Sequence, residues 1–306
     1  MIVLGRKYKF TKFEKLRLRK KFKKRLIIKY SNREPLEVLE ELKILIEKTD
    51  INLIVLNTKA KVPDELVKYL TNLQFDKNIK LVTIEQFVEN YLYKCYIPDD
   101  HSDLNYLQNI KPFNLFQYTV KRIIDFIGVL LILFFSFPII VYSIKRIKKE
   151  SPGSIFFKQE RVGIRGKLFY CYKFRSMHEN SVHDPYTREN DPRIFSYGNF
   201  MRKIRIDEIP QILNVLKGDM HLIGPRAEWN ILVEDYEKEL PYYNERHLIR
   251  PGITGWAQVM YQYGSGTYDA KQKLMYDLYY IKHYSFWLDI KIVWKTILVI
   301  LGKKGL

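Results

Sequence analysis

Two acidic dipeptides open segments that read as helices: Asp64-Glu65 after Pro63, and Asp207-Glu208 before Pro210. A carboxylate at such a position can serve as a nucleophile. The ordinary role of an acid at a helix start is to cap free amides. The two pairs keep different company. Asp64-Glu65 has Lys61 and Lys68 nearby, whereas Asp207-Glu208 follows Arg202, Lys203 and Arg205 and precedes the turn Gly224-Pro225-Arg226. Arg161, Lys167, Lys173, Arg175, Arg202, Arg226 and Arg250 all stand beside turn residues, where guanidinium forks and backbone amides can converge on phosphate oxygens. The competing reading for any one of them is a solvated basic surface. His178, His183, His221, His247 and His283 have no zinc-ligand spacing, so a structural zinc is not expected.

The element that must carry Asp207 reads as a helix with Ile209, Ile212, Leu213 and Leu216 on one face and Gly218 as its stop. Pro210 is tolerated because it falls in the first turn. Aligned amides at that start are expected to hold Asp207 as an anion. The chain around it has 306 residues, 47% hydrophobic and 28% charged, which excludes a mostly disordered, collagen-like or multi-span membrane protein. A formal charge of +18 points to polyanionic partners: nucleic acid, an anionic membrane surface or phosphorylated substrates. Cys95 and Cys171 alone form no disulfide framework, which favours a reducing, cytoplasmic setting, and the first residues lack a signal-peptide core.

The charge is unevenly spread. Residues 1–30 carry thirteen Lys or Arg against Glu14, so residues 1–22 are expected to be a basic arm. Residues 23–105 read as an accessory module. KRLIIKY, INLIVLNT and IKLVTI are short β-branched runs, separated by helical stretches in which Leu36, Leu39, Leu42 and Ile46 share a face. The order predicts an α/β fold with a small parallel sheet, a Rossmann-like fragment, with the boundary near residue 105. No glycine-rich loop follows its strands, so packing or subunit contact is favoured over dinucleotide binding.

Residues 115–306 read as an α+β domain that opens on a membrane segment. Phe126 to Ile144 is barely long enough to span a bilayer and is interrupted by Pro138. Lys121 and Arg122 flank one end and Lys145, Arg146, Lys148 and Lys149 the other, giving no direction for a crossing. A re-entrant hairpin over about residues 120–147 accommodates length, proline and charge together; a single span and a buried helix are the alternatives. The tail from Phe286, with Trp287, Trp294, Asp289, Lys291 and Lys295, suits an interfacial helix or a core-packed one.

The runs ERVGIRGKLFYCYKFRSM, RKIRIDEIPQILNVLKGDM, IGPR, RPGITGWAQV and YDLYYIKHYSFWLDIK, in this order over about residues 115–305, resemble the bacterial sugar transferases. These are monotopic polyprenyl-phosphate phosphoglycosyl transferases. Glu228 and the YGSGTYDAKQKL stretch look most like the exopolysaccharide-type branch, which implies UDP-glucose or UDP-galactose as donor and undecaprenyl phosphate as acceptor at the cytoplasmic face of the inner membrane. By that resemblance Asp207 is the nucleophile and Glu208 the Mg²⁺ ligand. Lys173, Arg175, Arg202, Arg226 and Arg250 bind diphosphate or lipid phosphate, and Gln258 and Asp277 support the site. The resemblance also implies a re-entrant helix broken at a Ser-Pro step. This chain departs there, reading Ser136-Phe137-Pro138, and departs again at Ala227, where many members have Pro. Expected partners are the two substrates and anionic membrane lipids, with a homodimer left open and no nucleic acid. The alternative is a basic membrane-bound scaffold or nucleic-acid-binding protein without catalysis, in which the arm carries the function.

Overall fold

Short runs that are apolar on both faces can be buried only inside a parallel sheet covered on two sides. The computed structural model shows such a sheet. It describes residues 1–22, 26–28, 33–58, 61–98, 110–179, 181, 191–261, 264 and 266–302. The chain divides into two units, Met1–Tyr96 and Ile97–Leu306. The boundary expected near residue 105, the basic residues Lys23, Lys24, Arg25 and Lys29, and His183 lie outside the described residues.

The first unit runs β1 (Ile2–Leu4), α1 (Lys12–Lys21), β2 (Leu26–Ile28), α2 (Pro35–Lys48), β3 (Leu53–Leu56), α3 (Asp64–Asp76), β4 (Lys80–Thr83) and α4 (Ile84–Phe87), which continues into a π-helical turn, Val88–Leu92. The strands are parallel in the order β2-β1-β3-β4. The basic arm expected over residues 1–22 is therefore corrected. Ile2, Val3 and Leu4 are buried and form an inner strand, and Val3 pairs with both Ile27 and Val55. α1 is fixed by a Thr11 capping box and by Glu14, which turns inward to the buried Lys94 and accepts from Tyr8 Oη at 2.9 Å. The inner face of α2 is also corrected: Val38, Leu42 and Ile46 are buried, while Leu36 in the first turn is exposed.

Gly5 follows β1 with φ of 95°, and a Cβ there would come within 2.4 Å of the Asn57 carbonyl oxygen. The Asn57 side chain accepts from Tyr8 N at 2.7 Å and donates to Tyr8 O at 3.1 Å. The chain's own residues thus fill the crevice between the carboxyl ends of β1 and β3, where open α/β sheets usually take ligands.

The second unit begins with α5 (Leu115–Glu150), hydrogen-bonded as one helix with Pro138 inside it. Thirty-six residues make about 54 Å, longer than a bilayer core of about 30 Å. Its buried residues are Lys121, Asp125, Val129, Ser136, Ser143 and Ile147, while Phe126, Leu130, Leu131, Phe134, Phe135 and Phe137 are exposed. That pattern inverts a soluble helix, with polar groups facing protein and aromatics facing outward, as in a helix solvated by lipid. The inward groups are all engaged. Lys121 Nζ meets Asp289 Oδ2 at 2.8 Å and Tyr280 Oη at 2.9 Å, Asp125 accepts from Leu222 N at 2.9 Å and sits 2.5 Å from His221 Nδ1, and Ser143 meets Tyr197 Oη at 2.8 Å. Lys121 is thus an internal anchor, not a flanking charge in water. Pro138 has no N–H for the Phe134 carbonyl, and the Ser136 hydroxyl donates to Ile132 O at 2.6 Å instead.

Beyond α5 come the antiparallel pair β5 (Phe156–Val162) and β6 (Leu168–Phe174), α6 (Ser196–Lys203), a 3₁₀ segment (Ile206–Gln211), α7 (Ile212–Lys217), β7 (His221–Ile223) and α8 (Asn230–Glu239). β8 (Gly252–Thr254), α9 (Trp256–Met260), α10 (Thr267–Lys282) and α11 (Phe286–Leu301) follow, with β8 parallel to β7.

Candidate active site

Proline at position 210 and a left-handed residue, Arg205 at φ of 63°, hold Asp207 and Glu208 in the tight 3₁₀ segment ahead of α7. The expected single helix is thus two pieces. Its expected apolar face is corrected as well: Ile212 and Val215 are buried, while Leu213 and Leu216 are exposed. Gly218 ends α7 in the left-handed conformation, as its position in the sequence predicts. Asn214, fully buried, locks this piece to β6 by accepting from Tyr172 N at 3.0 Å and donating to Tyr170 O at 2.7 Å. That clasp places Lys173, one residue along β6, against the acidic pair.

The Glu208 carboxylate gathers three cations. Its Oε1 lies 3.0 Å from Lys173 Nζ, 3.5 Å from Arg205 and 3.6 Å from Arg226. Burial alone would raise its pKa, but Lys173, Arg226 and Arg205 together hold it far below the usual carboxylate range. Asp207 moves the other way. Its burial, with the Glu208 charge alongside, pushes it above the usual range despite Lys173 and Arg202. The helix amides expected to hold Asp207 as an anion are thus opposed by burial and by the Glu208 charge, and Asp207 Oδ1 is buried with no hydrogen-bond partner. Such a group is costly unless something else completes it.

Arg226 reaches Glu208 because two glycine-rich turns pack backbone to backbone. A Cβ on Gly252 would sit 2.0 Å from Gly224 N, and one on Gly255 would sit 2.0 Å from Gly224 O. Gly224 N donates to Thr254 O at 2.9 Å, and Gly252 N donates to Pro225 O at 2.8 Å. The next layer, Arg246, was not singled out from the sequence. It is buried, donates to Arg226 O at 2.9 Å and to Tyr243 Oη at 2.6 Å, and pairs with Asp277 at 2.8 Å. Burial lifts Asp277 to about 6 even so. Arg161, which donates to Ala227 O at 3.0 Å, lines a narrow cavity of about 10 Å³ with Cys171, Lys173, Gln211 and Arg226. Burial and the neighbouring Arg226 lower its pKa.

The structure thus gathers Asp207, Glu208, Lys173 and Arg226, with Arg202 close enough for its charge to act on Asp207. Other expected site residues are placed differently. The guanidinium of Arg175 is occupied by Ser151 Oγ and by the backbone oxygens of Ser151, Pro152 and Ser154, so this residue staples the turn after α5. Arg250 donates to Tyr118 Oη and stacks on that ring at 4.8 Å. Gln258 donates to Ile253 O at 3.0 Å, with its Oε1 buried and without a hydrogen-bond partner. Arg246 and Asn214 had only a weak sequence signal, an Arg beside His247 and an Asn inside an apolar helix.

Among the described residues no three His, Cys, Asp or Glu side chains form a metal cage. Two adjacent carboxylates, one with an unpartnered oxygen, suit instead a hard cation whose coordination is completed by substrate phosphates.

Known proteins resemble the chain mainly over its second unit. Residues 116–303 match the bacterial sugar transferase family. The chain is 43% identical over 208 residues, 67% of its length and 49% of the other's, to the UDP-N-acetylgalactosamine-undecaprenyl-phosphate N-acetylgalactosaminephosphotransferase of Aeromonas hydrophila. It is 34% identical over 272 residues, 79% of its length and 56% of the other's, to the UDP-glucose:undecaprenyl-phosphate glucose-1-phosphate transferase of Xanthomonas campestris pv. campestris. It is 37% identical over 191 residues, 61% of its length and 90% of the other's, to the uncharacterized sugar transferase EpsL of Bacillus subtilis. The chain spans about half the length of the first two of these relatives.

Proposed function

The chain belongs to the bacterial sugar transferase family, and from that premise we propose that it moves sugar 1-phosphate from a UDP-sugar to undecaprenyl phosphate at a membrane surface. The observation that carries the reading is the split within the acidic pair: Glu208 collects the cations while a buried Asp207 oxygen has no hydrogen-bond partner.

In this reading an Asp207 carboxylate oxygen attacks the β-phosphorus of the donor. The bond from that phosphorus to the bridging oxygen breaks, UMP leaves with the electron pair, and the sugar phosphate is held as an acyl phosphate. A phosphate oxygen of the polyprenyl acceptor then attacks the same phosphorus, breaks its bond to Asp207 and restores the carboxylate. Lys173, Arg205 and Arg226, which neutralise Glu208 in the substrate-free protein, are the cations a diphosphate would recruit. Glu208, with Asp207, would hold Mg²⁺, which would supply positive charge to the diphosphate when bound. Arg246 keeps Arg226 in place through its backbone carbonyl.

The inverted polarity of α5 supports membrane seating. Pro138 at its middle, with Arg122 toward one end and Lys145, Arg146, Lys148 and Lys149 toward the other, favours a re-entrant seating with both ends cytoplasmic, in which this single helix bends at the proline and does not run straight across the bilayer. The first unit is then a Rossmann-like fragment used for packing, since its own residues fill the switch-point crevice. The pathway would be an early membrane step in exopolysaccharide, O-antigen or capsule synthesis. Glucose and galactose are donors to test alongside N-acetylgalactosamine, the sugar named for the 43% identical relative.

The test is UMP release by the full chain in nanodiscs with undecaprenyl phosphate, Mg²⁺ and a panel of UDP-sugars. Release from one donor that is lost on chelation and in Asp207→Asn supports the reading. Folded protein that releases no UMP from any donor overturns it.

A further inference from the structure

A ten-residue helix with six basic side chains has no intrinsic reason to carry outward-facing apolar groups. α1 does so. Glu14 and Leu18 are its buried residues, and Glu14 is fixed by Lys94 and Tyr8. On a 3.6-residue period the direction opposite those two falls on Leu16, with Lys12 and Arg19 to one side and Phe13 and Lys20 to the other. Phe13 is 74% exposed and Leu16 58% exposed. No ion pair ties Lys12, Lys15, Arg19 or Lys20 to another described residue. Arg17 and Lys21, nearer the inner edge, are engaged with the rings of Tyr93 and Tyr91 at 5.0 and 4.6 Å.

We propose that the outer face of α1 is a second membrane contact, independent of α5, which docks on an anionic bilayer with Phe13 and Leu16 inserted at headgroup depth and Lys12, Lys15, Arg19 and Lys20 on lipid phosphates. The charge complements an anionic surface, and each basic residue near such a surface strengthens binding about fivefold. Two apolar side chains at the centre of a basic face are what an interfacial helix needs. A phosphate-only partner such as RNA gives Leu16 no role, and the face offers one aromatic ring rather than a stacking platform. Nothing in this inference depends on the chemistry at Asp207.

The test uses the full chain in nanodiscs and an environment-sensitive fluorophore on Phe13→Cys, with Phe75→Cys on α3 as the exposed control. Cys95 and Cys171 are buried, so the introduced thiol is the accessible one. With phosphatidylglycerol replacing a third of the phosphatidylcholine, the probe at position 13 should shift to the blue and lose iodide quenching. High salt should reverse both effects, and the probe at position 75 should not change. Replacing Lys12, Lys15, Arg19 and Lys20 together by Gln should weaken the lipid response by roughly a hundredfold or more while leaving UMP release unchanged. Arg19→Glu alone should weaken it by about tenfold and serves if the quadruple variant folds poorly. The same signal at position 13 in neutral and anionic discs, or a response retained in the quadruple variant, overturns the proposal. So does a shift produced in neutral discs by RNA but not by phosphatidylglycerol in the bilayer.

Discussion

The chain contains its own control for what makes an acidic dipeptide chemical. Asp64-Glu65 and Asp207-Glu208 are the same two residues at the start of a helical segment, the first directly after Pro63 and the second two residues before Pro210. In α3 both side chains are exposed, and water screens them as it does any first-turn acid. In the 3₁₀ segment both are less than a tenth exposed. Low-dielectric surroundings then force a division of labour. One carboxylate takes the cations and stays ionised, and the other is pushed toward its neutral form. The spacing is identical; the burial and the three converging cations are not.

Substitutions can break that contrast, and the largest effect is expected at Asp207, the proposed nucleophile. Asp207→Asn should reduce UMP release roughly 10³-fold or more with the fold intact by circular dichroism, and residual turnover near wild type would remove Asp207 from that role. Glu208→Gln should abolish most turnover and also lower unfolding stability by roughly 3 kcal/mol in urea melts, because it strips the counter-charge from Lys173, Arg205 and Arg226. With that charge gone the Asp207 pKa should fall, which carboxyl infrared titration of a labelled sample would show.

Two arginines sharpen the comparison further. Arg226→Lys should reduce kcat/KM by about tenfold or more with little change in melting, whereas Arg175→Lys should cost about 2 kcal/mol of stability through its lost carbonyl bonds. Activity per folded molecule of Arg175→Lys should hold. The support behind Arg226 should show itself in acid. His247 is buried beside Arg246, and burial lowers its pKa from 6.5 to about 3. Its contribution to stability is therefore fully present above about pH 6.5 and is lost as pH falls toward about 3. Between about pH 8 and about pH 5, wild type should lose about 2 kcal/mol more than His247→Leu. The smallest effect is the control: Asp64→Asn with Glu65→Gln should stay within about 0.5 kcal/mol and leave turnover unaltered.

Much of this was legible in the residues, and the misses have physical causes. β2, β3 and β4 fall inside the three β-branched runs, and Gly218 ends α7 where its lack of a Cβ is useful. β1 was hidden because three apolar residues are too few for periodicity and the basic stretch after them dominates the composition. Periodicity put Leu36, Leu213 and Leu216 on inner faces because it fixes spacing but not phase, and the phase comes from what packs alongside. The acidic pair stood out through its basic neighbours. Arg246 and Asn214 did not, since a side chain that holds another residue's backbone is defined by contacts far along the chain, such as the 44 positions between Asn214 and Tyr170. Arg175 shows the converse, a basic residue in a promising run that the fold uses to bind carbonyls.

The anchoring of α5 also imposes an order on biosynthesis. The chain emerges from the ribosome N-terminus first, so α5 appears long before its partners. Asp125 waits 96 residues for His221, and Lys121 waits 168 residues for Asp289. Through that interval the Lys121 ammonium lacks its carboxylate, and Asp125 has as counter-charge only Arg122 of the same helix, 3.7 Å away in the folded chain. The lock closes when α11 arrives. A nascent chain stalled before Asp289 would carry the Lys121 ammonium without its carboxylate partner.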